Sequence, residues 1–107
     1  MTEAIAHLIQ SCQGFEWDEG NAEKNQKQHG VTAKEAEEIF FNQPQMLFED
    51  VSHSQIERRF GILGVTDRGR GLAVFFTVRN NKLRVISARD QNRSRERHLF
   101  ETKKEAA

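Results

Sequence analysis

Apolar residues follow two different periods along this chain of 107 residues, and the change of period divides it. Over residues 3–12, Ile5, Leu8, Ile9 and Cys12 recur at helical spacing, which predicts a short amphipathic helix. Phe15-Glu16-Trp17 alternates, and Asp18 follows as an N-cap candidate. That pattern predicts a short strand running into a helix over 19–29, with Gly30 as its stop. The helix is unusually polar: its one apolar residue, Ala22, shares a face with Asn25, Gln26 and His29. Thr32-Ala-Lys-Glu35 is a capping box. It opens a helix over 33–41 that buries Ala36, Ile39 and Phe40, with Phe41 beside them, and Asn42-Gln43-Pro44 ends it.

Beyond Pro44 the period becomes two. Met46–Phe48 reads as a strand, residues 49–57 as a polar loop, and residues 58–65 as a second strand. Asp67-Arg-Gly-Arg-Gly71 is a turn. Leu72–Arg79 and Lys82–Arg89 are two strong strands, joined by Asn80-Asn81. That pair tolerates positive φ and suits a type I′ hairpin. From about Asn92 to Lys104 the pattern is helical again, anchored by Leu99 and Phe100. The expected fold is a single α+β domain: N-terminal helices packed on an antiparallel sheet, with a closing C-terminal helix.

A two-residue loop pairs Arg79 with Lys82, Val78 with Leu83, Thr77 with Arg84, Phe76 with Val85 and Phe75 with Ile86. Leu72, Val74, Phe76, Val78, Leu83 and Val85 then share the core face. The other face carries Arg79, Lys82, Thr77 and Arg84, with Phe75 and Ile86 as apolar spots, and no acid stands among those positions.

Charge sharpens this picture. Lysine and arginine balance aspartate and glutamate at 16 each, but the signs are segregated. Residues 1–57 hold three basic side chains against eleven acidic ones, a net of −8. Residues 58–107 hold thirteen against five, a net of +8, and ten of the thirteen are Arg. Either the halves neutralise each other across one fold, or the Arg-rich half presents a polyanion-binding face. Arg forks onto phosphate oxygens and stacks on bases, which favours the second.

Several function classes drop out. No apolar run approaches the roughly 18–20 residues of a membrane span, so no membrane role is expected. The N-terminal stretch lacks the basic region of a signal peptide, and a lone cysteine, Cys12, fits a reducing cytoplasm. The four histidines, His7, His29, His53 and His98, have no metal-ligand spacing, so no metal and no cofactor is expected. There is no P-loop, no G-x-S-x-G and no Tyr. What remains is His, Glu and many Arg. That set suits RNA cleavage by its own 2′-hydroxyl, where the substrate supplies the nucleophile and the protein orients it, neutralises the phosphorane and moves protons.

The string Phe15-Glu-Trp-Asp18, Asn25, His29-Gly30-Val31, Glu35-Ala36, Phe40, Asp50, His53-Ser54, Glu57-x-Arg59, Thr77-x-Arg79, Arg84-Val-Ile-Ser-Ala-Arg89 and Glu96-Arg97 resembles the BrnT family of toxins from type II toxin–antitoxin pairs. The resemblance covers residues 15–101 and leaves 1–13 as an added helix. It implies a RelE-like ribonuclease fold with a curved sheet, and an endoribonuclease that cleaves RNA, including mRNA, and arrests translation in the cytoplasm. It also implies a ribbon-helix-helix antitoxin (BrnA-like) as partner, with DNA contacted only through the antitoxin complex.

Carried over by position, Arg79, Arg84, His53, Glu57 and His29 are the catalytic candidates. Arg59, Arg79, Lys82, Arg84, Arg89 and Arg97 are the RNA-binding candidates, with Glu96 as a polar companion. Two features depart from the family pattern. A Tyr usual after the Glu-Arg pair is Phe100 here, and the run between Arg89 and Glu96 is longer. A non-catalytic RNA- or protein-binding module and a decayed toxin are the alternatives that the same residues allow.

Overall fold

A computed structural model describes residues 2–53, 56–92 and 95–106. Residues 54–55 of the expected polar loop and 93–94 before the last helix lie outside that set, as does the side chain of His53. The elements run α1 (Thr2–Gln10), β1 (Phe15–Glu16), α2 (Glu19–His29), α3 (Ala33–Glu38), β2 (Met46–Glu49), a 3₁₀ turn (Val51–His53), β3 (Phe60–Val65), β4 (Gly71–Arg79), β5 (Lys82–Asp90) and α4 (Glu96–Ala106). The fold is α+β.

The strands form one sheet in the order β1-β5-β4-β3-β2. β2, β3, β4 and β5 pair antiparallel, but β1 joins β5 in parallel, Phe15 opposite Leu83 and Glu16 opposite Arg84. The sheet is therefore mixed, which corrects the expectation of a purely antiparallel one. A parallel partner must cross over from a distant part of the chain, and no local turn signal announces it.

The hairpin forms as its loop chemistry demands. Asn80 and Asn81 take φ of 55° and 61°, and pairing runs from Arg79–Lys82 through Phe76–Val85. A bulge between Phe75 and Phe76 then shifts the register, so Phe75 faces Ser87 and not Ile86. The extra residue on β5 displaces Ile86 from the pairing that strict alternation requires.

Parity along the strands sorts the side chains into two layers. Leu72, Val74, Phe76, Leu83, Val85 and Ala88 lie on the inner face, buried against Ile5, Val31, Ala36, Ile39 and Phe40 from the N-terminal segments. The Thr32–Glu35 capping box starts α3, with each side chain bonded to the other residue's backbone N–H. Gly64 lets α3 approach β3 closely, because a Cβ there would crowd Ile39.

The polarity of α2 has a structural use. Among the described residues β5 has no strand partner beyond Arg84 on its outer edge, and buried Asn25 accepts a hydrogen bond from the Ala88 N–H at 3.1 Å. The helix thus closes an edge that would otherwise leave a buried donor unmet.

On the outer face, Leu63, Ala73 and Phe100 form a second buried cluster, with Met46, Phe48, Val65 and Phe75 packed on it. Here α4 lies on the sheet through Phe100, which is 4% exposed. Leu99, expected to share that anchoring role, is 41% exposed. Helices therefore cover the inner face and α4 covers one end of the outer face; among the described residues no helix covers its hairpin end.

Candidate nucleic-acid interface

The open part of the outer face is a strip along β4 and β5. At the hairpin end stand Arg79 and Lys82, both exposed and directly opposite each other. Next come Arg84 beside Thr77, which is buried with its hydroxyl donating to the Arg58 carbonyl at 2.7 Å, then half-buried Phe75 and Ser87, then Arg89 beside Ala73, which is buried under α4. Arg59, just before β3, joins at Phe75. The Arg59 guanidinium lies 4.9 Å from the centroid of the Phe75 ring, and that of Arg89 lies 5.4 Å from it. One half-buried aromatic ring thus carries two cations, an attraction worth about 0.5–2 kcal/mol each depending on desolvation.

The strip is not bare positive charge, as alternation along the hairpin alone suggested. Each Arg on it meets a carboxylate from elsewhere in the chain. Arg79 Nη2 donates to Glu57 at 2.7 Å. Arg84 Nη2 donates to Asp18 at 2.7 Å, and Glu16, its neighbour across the parallel pair, lies 3.7 Å from Nη1. Arg59 Nε is 3.0 Å from Asp50. Arg89 forks onto Glu96 through two bonds of 2.7 and 2.8 Å. The acidic half of the chain therefore supplies partners to Arg59, Arg79 and Arg84, while Arg89 takes Glu96 from the Arg-rich half itself. Neutralisation and a polyanion surface, posed as alternatives, meet on one face.

These partners set charge states. Burial pushes the Glu96 carboxyl up, but hydrogen bonds from Arg89 and from the Asn92 N–H outweigh it and hold Glu96 below the usual carboxylate range. Glu96 in turn holds the Arg89 guanidinium above its ordinary value. Both groups are ionised at neutral pH, so Arg89 stays fixed with its planar fork on Glu96 and its guanidinium beside the Phe75 ring.

The remaining predicted residues separate. His29 ends α2 at the other end of the sheet, where its carbonyl accepts from Arg70 Nη2 at 3.2 Å. Arg70 also grips Asp90 at 2.7 Å, and that bond, more than the charge of nearby His29, lowers the Asp90 carboxyl. β4 leads from Gly71, next to Arg70, to Arg79 over about 26 Å at 3.3 Å per residue, so His29 and Arg79 do not form one constellation. Arg97 is exposed and lines a polar recess with Arg70, Asp90 and Gln91, away from the strip. Glu57 and Arg79 are brought together. His53 ends the 3₁₀ turn between β2 and the Glu57 segment.

Sequence reasoning missed Phe75 as the shared platform, and Asp18, Glu16 and Asp50 as clamps. The segregation of charge was their only signal, and it named no pairs. Beside Phe75, between β2 with its 3₁₀ turn and the start of α4, an open cleft of about 440 Å³ has Met46, Phe48 and Leu63 on its floor. Among the described residues, no three His, Cys, Asp or Glu side chains converge to share a metal ion, and no helix is long and apolar enough to cross a membrane.

The family model described as "Ribonuclease toxin, BrnT, of type II toxin-antitoxin system" matches residues 17–95. The chain belongs to the BrnT family. A search of curated proteins finds no individual match. The matched span takes in Glu57, Arg59, Arg79, Lys82, Arg84 and Arg89 and stops one residue before Glu96. In this BrnT member, then, all the strip's arginines fall inside the family region, and the clamp on Arg89 comes from α4 beyond it.

Proposed function

We propose that this BrnT chain is a metal-independent endoribonuclease that cuts RNA, including mRNA, through the 2′-hydroxyl and so inhibits translation in the cytoplasm. One observation carries the reading: Arg79 and Glu57 meet at 2.7 Å on an open face that continues into Arg84 and the Arg59–Phe75–Arg89 group. The cations hold the phosphates of a single strand in place of counterions. Phosphate binding draws on N–H donors of Arg79 beyond the Nη2–H given to Glu57, since a guanidinium carries five.

The chemistry balances with groups from this face. The Glu57 carboxylate takes the 2′-hydroxyl proton while the 2′-oxygen attacks the adjacent phosphorus in line. Arg79, with Arg84 next along the strip, neutralises the charge that gathers on the phosphorane oxygens. The bond from phosphorus to the 5′-oxygen breaks, and the leaving oxygen takes a proton from water or from His53, the acid named from sequence, whose side chain lies outside the described set. The products are a 2′,3′-cyclic phosphate and a 5′-hydroxyl. DNA lacks the nucleophile and is bound without being cut; contact with DNA in the cell comes through the complex with a ribbon-helix-helix, BrnA-like antitoxin.

Induced expression in a bacterial host tests this reading. Growth arrest that Arg79→Ala relieves, with the variant still folded and abundant, is the expected result. Parent and variant behaving alike would remove catalysis from this face and bring forward a non-catalytic binding module.

A further inference from the structure

We propose that the cleft beside Phe75 is a subsite for one extruded nucleobase of single-stranded RNA, and that it prefers a base bearing an exocyclic amino group. The proposal rests on the reading of the outer strip as an RNA-binding face.

The cleft adjoins that strip directly, because Phe75 belongs to both. At about 440 Å³ it lies in the size range of small-ligand sites, about 300–1,000 Å³. Its floor is aromatic: Phe48 and Phe75 meet edge to face with centroids 6.0 Å apart. Gly61 makes room for this, since any Cβ there would run into the Phe48 ring. The walls are exposed apolar side chains, Val51 at 75% and Leu99 at 41% exposure.

An apolar floor with cations at its margin matches a nucleotide, which is a flat π-system tethered to an anion. With the backbone along Arg84 and Arg89, a base turned inward stacks on the phenylalanines and displaces water from them. An all-apolar partner segment would leave the charged margin unanswered.

The margin also points to which base. Glu49, Asp50 and Glu96 line the cleft and, as carboxylates, only accept hydrogen bonds; the Ser52 hydroxyl in the lining donates to Asp50, and Arg95 adds a cation that can hold phosphate. Salt bridges of the three carboxylates to Arg58, Arg59 and Arg89 offset their repulsion of the RNA backbone. An acceptor margin suits the N4 amino group of cytosine and the amino groups of adenine or guanine, and it opposes the O4 acceptor of uracil.

Fluorescence anisotropy with ten-nucleotide 2′-O-methyl chains, which resist cleavage through the 2′ position, tests this on the full chain. The probes are oligo-C, oligo-U and a chain of abasic sugar-phosphates at low salt. Stacking on aromatic side chains predicts a gain of roughly 5- to 150-fold for oligo-C over the abasic chain. Oligo-U should bind at least about fivefold more weakly than oligo-C, as one lost hydrogen bond of about 1 kcal/mol dictates. Val51→Trp, a change at an exposed wall that fills the cleft, should shrink both differences below about twofold.

Equal binding of oligo-C, oligo-U and the abasic chain overturns the base subsite and leaves the RNA-binding strip standing. Failure of all three to bind overturns the strip itself, and the subsite with it. If Val51→Trp leaves the RNA preferences intact, the bases are read elsewhere, and the cleft belongs to a protein partner.

Discussion

Arg89 and Glu96 are joined by two parallel hydrogen bonds, so the last β-strand and the last helix are tied together at the candidate interface. The same pair fixes the guanidinium that lies over Phe75. Glu96→Gln keeps the shape and removes the charge. It should cost about 1 kcal/mol in chemical denaturation, a value that allows for partial exposure. RNA affinity should change as well, because Arg89 loses its fixed orientation. A variant with unchanged midpoint and unchanged RNA binding would show that the pair neither ties α4 nor places Arg89.

Acid should weaken the fold for a related reason. The carboxyls of Glu35, Asp90 and Glu96 are all held below their ordinary values. In Glu35 the Thr32 N–H is the main cause, in Asp90 the bond from Arg70, and in Glu96 the bonds from Arg89 and Asn92 against burial. Depressed folded values mean that this stability is fully present above the unfolded carboxyl pKa of about 4 and is lost as pH falls through the folded values. Denaturation midpoints should be level from neutral pH to about 5 and then fall. In Glu96→Gln the decline should be shallower. An equally steep decline would place the acid sensitivity elsewhere.

Gly61 offers a test of packing. Its missing side chain is the space the Phe48 ring occupies. Gly61→Ala forces that ring off the strand and should cost about 1–3 kcal/mol. Phe48→Leu in the same chain should recover part of the loss. An undiminished midpoint for Gly61→Ala would mean that the ring does not lie where it is described.

Much of the fold is local and was legible for that reason. Asn80-Asn81 dictates the hairpin, Thr32–Glu35 dictates the start of α3, and alternation in Leu72–Val78 dictates the core face. The rest depends on distant parts of the chain. The parallel pairing of Phe15 and Glu16 with Leu83 and Arg84 is two residues long and carries no turn signal. The bulge at Phe75 depends on both strands at once. Asp18 and Arg84 are 66 positions apart, and charge counting shows that such pairs are available without saying which acid meets which Arg. Among the site residues, the Arg79–Glu57 contact joins two residues named from sequence. His29 lies at the far end of the sheet, because helix α2 delivers it to Arg70 and Asp90.

Removing charge from the strip separates grip from fold. Arg79 and Arg84 face away from the core; Arg79→Ala should change stability by about 1 kcal/mol or less, through a lost surface ion pair, and Arg84→Ala by more, because that side chain is 22% exposed and bridges Asp18 and Glu16. RNA affinity should fall, with its salt dependence flatter by roughly one counterion. Arg79→Lys keeps the charge and loses the fork, so binding should largely survive while cleavage drops. Titrations at several salt concentrations check this. A slope unchanged in both alanine variants would show that neither guanidinium touches phosphate.

The central claim is the route of cleavage, and the chemistry of the cut ends reports it. Purified chain, incubated with single-stranded RNA in excess EDTA, should yield 2′,3′-cyclic or 3′-phosphate ends and 5′-hydroxyl ends, and Glu57→Gln should slow that reaction by a hundredfold or more, on the order of what a positioned base supplies. Fragments with 5′-phosphate and 3′-hydroxyl ends, formed only when a divalent ion is restored, would contradict it.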